Sequence, residues 1–279
     1  MTVVDASETG KISPPRMVYE RASERTFFGV SALIFVVSAA LTLVRWASMS
    51  SVDGMSMPGG WTMSMAWMRM PGQTWLSAVA SFLGMWIVMM VAMMLPSLVP
   101  MLSRYRETLG RTGETRLGLL TALVAVVYFF VWTLFGTAAF SLGIALTTAA
   151  MQRPDLARVV PIAVGVVILF AGALQFTAWK ARHLGACRAA PGRGRTLPAH
   201  AATAWRHGLR LGLHCSQCCA GLMAILLAVG VMELRVMILV SAAITVERVV
   251  PAGKRVAQVV GAVVIALGLF LIARAAGLG

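Results

Sequence analysis

The chain has 279 residues, 59% of them apolar and only 12% charged, with a formal net charge of +14 and a mean hydropathy of +0.82. Soluble domains carry about a quarter charged residues, so this composition excludes a soluble enzyme, a disordered chain and a disulfide mini-scaffold, and it points to a membrane protein. The cations lie between apolar runs rather than on one soluble face, so they read as topology signals and no nucleic-acid partner is expected.

In chain order, residues 1–26 form a polar tail with Lys11, Arg16, Arg21 and Arg25, expected to be cytoplasmic. Seven apolar segments follow within residues 27–279: Phe27–Trp46, Trp75–Leu102, Leu117–Ala150, Val159–Trp179, Gly208–Met232, Leu234–Val250 and Val256–Leu278. No small-residue cleavage site follows a short apolar core, so the first segment is read as a retained helix. About 20 residues cross the hydrocarbon, which makes the third segment long and the sixth marginally short. An all-α transmembrane bundle of about seven spans is expected. With the N terminus inside, the cytoplasmic stretches hold 18 of the 24 Lys and Arg residues, a bias that favours an N-in, C-out chain. Residues 47–74 then form an external loop, and residues 180–207 a basic cytoplasmic one.

The external loop is rich in methionine: Met49, Met55, Met57, Met63, Met65, Met68 and Met70 lie among Gly, Ser and Pro. Neutral, soft thioether sulfur suits Cu(I) in an oxidising compartment, where thiols are lost to disulfides. The M-x-M pairs Met55/Met57 and Met63/Met65 place two sulfurs on one side of an extended chain. A loop lying on lipid headgroups through Met, Trp61, Trp67 and Trp75 is the plainer reading. The second segment continues the pattern with Met85, Met89 and Met93 at i, i+4, i+8, and Met90 and Met94 beside them. On a helix the first three form a ladder of about 6 Å per step, fit either to pass a soft ion or to fill gaps between helices. Pro96 is expected to kink the helix where the ladder ends.

All four cysteines lie in the second half. His183 and Cys187 share a helix face at i, i+4; Cys215, Cys218 and Cys219 sit at i, i+3, i+4, with His214 four residues before Cys218. On a reducing cytosolic face such clusters indicate metal or redox chemistry rather than structural disulfides. Three thiolates at helical spacing suit Cu(I) at least as well as tetrahedral zinc, the less favoured metal. Inert packing is the alternative for these thiols. Glu247 is a weak candidate ligand, better read as a structural ion pair with Arg248, Arg210 or Lys254, and Gln175 as an interhelical hydrogen-bond donor. His200 and His207 are given no role. No phosphate-binding loop, haem-attachment motif or inverted repeat is visible, so neither nucleotide nor haem is expected.

The string Met85-Trp86-Ile87-Val88-Met89-Met90-Val91-Ala92-Met93-Met94-Leu95-Pro96-Ser97 is followed by Gln175-Phe176-Thr177-Ala178-Trp179-Lys180 leading to Cys187-Arg188. Cys215 to Cys219, Gly221-Leu222-Met223, Gly230-Val231-Met232 and Glu247-Arg248 come next. Together these resemble the predicted metal-binding integral membrane proteins of the domain of unknown function 2182 over roughly residues 75–275. His183 stands where that family has the first cysteine of a C-x3-C, and Gln217 and Ala220 replace its glycine and tryptophan. The resemblance implies metal binding in a polytopic bundle, with no reaction attached.

The expected function is therefore handling of a soft metal, Cu(I), by a non-enzymatic protein of the bacterial inner (plasma) membrane, in contact with lipid, metal ion and a metallochaperone or larger membrane complex. The alternatives are a structural or assembly subunit of such a complex, for instance a copper enzyme, and a thiol oxidoreductase using Cys215 and Cys218. Topology is directly testable. A reporter fused after Gly113 or between Gly192 and Pro198 should be cytoplasmic, and one fused at Gly279 or between Gly54 and Gly60 external; an internal Gly279 would remove one span.

Overall fold

The computed structural model describes residues 14–50, 55–57, 61–63, 67, 72–110, 116–189, 198–231 and 233–277. Lys11, Met65, Met68, Met70 and much of the two expected loops lie outside them. Leu, Ala, Val and Met dominate the apolar runs, and in hydrocarbon only a helix satisfies every backbone group within its own segment. The chain accordingly forms α1 (Pro14–Ser50), α2 (Trp75–Gly110), α3 (Leu117–Gln152), α4 (Pro154–Leu174), α5 (Ala178–Ala189), α6 (Ala201–Val229), α7 (Leu234–Val249) and α8 (Gly253–Ala275). Between α1 and α2, β1 (Met55–Met57) and β2 (Trp61–Met63) make a short antiparallel ribbon that pairs Met55 with Met63 and Met57 with Trp61.

Local sequence explains the boundaries. Pro154 opens α4, where its missing N–H costs nothing. Gly230, at φ +139°, closes α6 in a conformation that side-chain-bearing residues avoid, and α7 stops ahead of Pro251. α1 begins at Pro14, well before the expected Phe27, and α6 at Ala201 rather than Gly208. Helix α5 and the first turns of α6 take up much of the stretch read as a basic loop. α2 runs as one helix through both Pro96 and Pro100.

Among the described residues, six helices are long and apolar enough to cross a membrane: α1, α2, α3, α4, α6 and α8. α7 has 16 residues and a length of about 24 Å, short of a hydrocarbon core of roughly 30 Å. Side-chain contacts sort the helix ends. Arg106 at the end of α2 bonds Ser23 at the start of α1 (2.7 Å), Arg104 Nη1 donates to the Arg188 carbonyl of α5 (2.7 Å), and Arg188 Nη2 donates to the Pro251 carbonyl between α7 and α8 (3.0 Å). At the other end, Trp61 Nε1 donates to the Ala157 carbonyl at the start of α4 (2.8 Å), and the Trp67 ring lies against Gly143 of α3.

α4 and α8 run antiparallel in close contact, Gly165 facing Gly268 and Gly172 facing Gly261. The end of α8 therefore lies at the Trp61 end of the bundle. A Cβ on Gly172 would stand 2.8 Å from Ile265 Cγ1 and 3.0 Å from the Gly261 carbonyl, whereas one on Gly118 meets nothing within 4 Å. Gly172→Ala should destabilise the detergent-solubilised protein by about 1–3 kcal/mol through overpacking, and Gly118→Ala should be neutral or slightly stabilising. Unfolding titrations of the two variants check the contrast.

Candidate metal centre

The cysteines of α6 follow helical geometry: positions i, i+3 and i+4 fall on one face, and packing against α3, α4 and α5 buries Cys215, Cys218 and Cys219. α5 adds a fourth buried thiol. Cys187 Sγ lies 3.8 Å from Cys218 Sγ, which lies 3.6 Å from Cys219 Sγ. Cys215 shares a hydrogen bond of 2.8 Å with the hydroxyl of Tyr128 on α3. All four thiols are free. The hydrogen bond to Cys218, with burial, holds the Cys187 thiol well above its ordinary range.

Charge enters this sulfur cluster from the end of α7. Arg248 Nη2 donates to Cys218 Sγ (3.4 Å) and Cys187 Sγ (3.5 Å), and Nη1 donates to Ser97 Oγ (3.0 Å) on α2. Ser97 in turn donates to the Met94 carbonyl (3.0 Å). The Nε of Arg248 is buried and has no hydrogen-bond partner among the described residues. Its neighbour Glu247 is engaged elsewhere, with Lys180 Nζ at 2.7 Å and Gln175 Nε2 at 3.1 Å. Lys180 also donates to the Cys218 carbonyl (2.6 Å), so the buried pair pins the backbone beneath the central thiol.

The expected ion-pair character of Glu247 is correct, but its partner is Lys180 rather than Arg248, Arg210 or Lys254. Gln175 is the interhelical donor expected of it. His183 and His214 meet across α5 and α6 with their Nδ1 atoms 3.4 Å apart, both half-buried. Each lies four residues before a member of the Cys187/Cys218 pair. Cys215 and Cys218 share a face, yet the nearest sulfurs to Cys218 are those of Cys187 and Cys219, so the structure offers no contact favouring a C-x-x-C redox pair. Among the described residues no three His, Cys, Asp or Glu side chains are arranged to hold one metal ion; the sulfurs form a chain rather than a closed cage.

In α2, Met89, Met90, Met93 and Met94 are buried in the same core as the four cysteines. Met85 is half-buried and, with Met89 and Val88, lines a cavity of about 100 Å³ whose other wall is Leu41, Thr42 and Arg45 of α1. Met55, Met57 and Met63 stand in the ribbon. Arg248, Lys180, Ser97 and Tyr128 were not anticipated as parts of the site. Arg248 and Lys180 carried the only signal, being cations directly beside apolar segments.

A helical bundle with, among the described residues, six helices of membrane-crossing length, four buried thiols on α5 and α6 and a methionine-rich α2 is the class these features define. A family model described as PpoB2, copper chaperone, matches residues 83–271. That span is more than half of the chain, and the protein belongs to this family. No curated protein and no solved structure matches it. Membership bears out the expectation of a copper-related, non-enzymatic protein. The matched span contains all four cysteines, both paired histidines and the ladder from Met85, and leaves out the methionines of residues 49–70.

The Lys180–Glu247 pair makes the site sensitive to single changes. Lys180→Met leaves a buried carboxylate unpaired and should cost about 3–5 kcal/mol, whereas the double variant Lys180→Met/Glu247→Met should recover most of that loss. Denaturant unfolding of the three proteins in one detergent measures the difference.

Proposed function

We propose that the protein receives Cu(I) at its methionine-rich outer face and passes it along α2 to a thiol site at the opposite half of the bundle. In this reading the chain spans the bacterial inner membrane seven times, N-in and C-out, α7 making a short crossing. Met55, Met57, Met63 and Met65 act in capture, and Met85, Met89 and Met93 with Met90 and Met94 act in relay. Cys187, Cys215, Cys218 and Cys219, with His183 and His214, form the acceptor. The narrower assignment to the family of the domain of unknown function 2182 belongs to the same reading, as does exchange of copper with a metallochaperone or a larger membrane complex.

One connection carries this reading. Met89, Met90, Met93 and Met94 lie in one buried core with the four cysteines, and Ser97, on the next turn of α2, donates to the Met94 backbone carbonyl and accepts from Arg248, which also contacts the Cys218 sulfur. Neutral thioethers cannot offset the hydration of a hard divalent ion, while a soft monovalent ion exchanges water for sulfur at little cost. The cavity at Met85 and Met89 gives the outer half of the ladder open space.

Two variants separate acceptor from relay. Cys215→Ser/Cys218→Ser/Cys219→Ser should lose most soft-metal binding by the membrane domain, because a hydroxyl is a poor ligand for Cu(I). Met85→Leu/Met89→Leu/Met93→Leu keeps volume and apolarity, at under roughly 1.5 kcal/mol per site, and should fold while copper delivery falls. Metal stoichiometry and transfer assays read both. Full copper handling by a well-folded triple-Leu protein would assign the ladder to packing and favour a structural or assembly subunit.

A further inference from the structure

Arg248 is almost wholly buried, and the ion pairs among the described residues are Arg158–Asp155 and Lys180–Glu247. No carboxylate therefore balances its guanidinium, and its contacts are one hydroxyl and the sulfurs of Cys187 and Cys218. A buried charge without a counter-charge is strongly unfavourable, and among the described residues the groups hydrogen-bonded to it that can become negative are the sulfurs of Cys187 and Cys218.

We propose that Cys187 and Cys218 form a two-thiolate receptor for a single monovalent soft ion, and that Arg248 sets this charge selectivity by neutralising the complex. The inference rests on the thiol site being the copper acceptor. Each thiol loses its proton to solvent as its sulfur binds the ion, with no change of oxidation state. Two thiolates carry −2, the ion +1 and Arg248 +1, so the buried assembly is neutral, the Lys180–Glu247 pair cancelling itself. A divalent ion on the same two thiolates leaves a net positive charge in an apolar bundle. The third thiolate that would cancel it is not placed, since no three ligands gather around one point among the described residues.

The separation of the two sulfurs fits a two-coordinate ion. With metal–sulfur bonds of roughly 2.3 Å, as for zinc thiolates, a linear S–metal–S unit spans about 4.6 Å. The present separation of 3.8 Å opens to that by small adjustments of α5 against α6. Cys187 is the one thiol outside α6, so the ion ties the two helices together. Cys215, held by Tyr128, and Cys219 remain outside the pair.

The test compares Ag(I), as a redox-inert monovalent probe, with Zn(II), using the full-length protein in detergent. Arg248→Gln reverses the charge balance: two thiolates with Zn(II) become neutral and with Ag(I) net negative. The ratio of Ag(I) to Zn(II) affinity should fall at least tenfold, while Arg248→Lys should keep it within a few-fold of wild type. Size-exclusion profile and far-UV circular dichroism establish folding. If Arg248→Gln does not fold, X-ray absorption of the wild-type Ag(I) complex decides instead, with two sulfurs per ion expected. An unchanged ratio in folded Arg248→Gln, or three or more sulfurs around the ion, overturns the proposal and leaves the thiol acceptor standing. Full Ag(I) binding by Cys187→Ser/Cys218→Ser overturns the two-thiolate receptor, and full Ag(I) binding with all four cysteines replaced by Ser overturns the thiol acceptor as well.

Discussion

A guanidinium held inside an apolar bundle has to be answered by hydrogen bonds and negative charge, and the centre of this protein is organised around that of Arg248. It reaches α2 through Ser97, α5 through Cys187 and α6 through Cys218, from its own place at the end of α7. The acid next to it in sequence is withheld by Lys180 and Gln175. Because burial makes each unmet polar group costly, these contacts specify one another: moving Glu247 toward Arg248 would strand Lys180 as well as free the thiols.

The bundle is built so that several helix ends meet at this level. α4 finishes just before Gln175, α7 finishes just after Arg248, and α8 starts at Gly253, which packs against the Glu247 carbonyl. α2 and α6 pass through the same level and supply Ser97 and the cysteines from their interiors. Close glycine-mediated packing of α4 on α8 brings Gln175 within reach of Glu247, and small residues at such contacts are what let helices approach in the absence of a hydrophobic drive between them.

The copper chaperone family match covers the region in which these contacts occur. Within it, polarizable sulfur is concentrated in two places of different character: neutral thioethers along α2 and ionisable thiols on α5 and α6. Under the proposed function that difference gives a cation a graded path, from weak neutral ligands to strong anionic ones, with Ser97 and Arg248 at the junction. The histidine pair on α5 and α6 is less buried than the thiols.

Local patterns in the chain were enough to determine the helical class, most of the helix positions, the shared face of Cys215, Cys218 and Cys219, and the methionine ladder, because each depends on apolar run length or on the 3.6-residue period. The early start of α1 and the helical character of α5 were less legible, since polar residues outside an apolar run form helix or loop with little difference in pattern. Tertiary structure alone decided which residues meet across helices. It paired Cys187 with Cys218, His183 with His214, and Glu247 with Lys180 rather than with the adjacent arginine. Those pairings depend on the rotation and approach of helices up to 151 residues apart in sequence, as for Ser97 and Arg248, and no periodicity within a single segment encodes the angle at which two segments face each other.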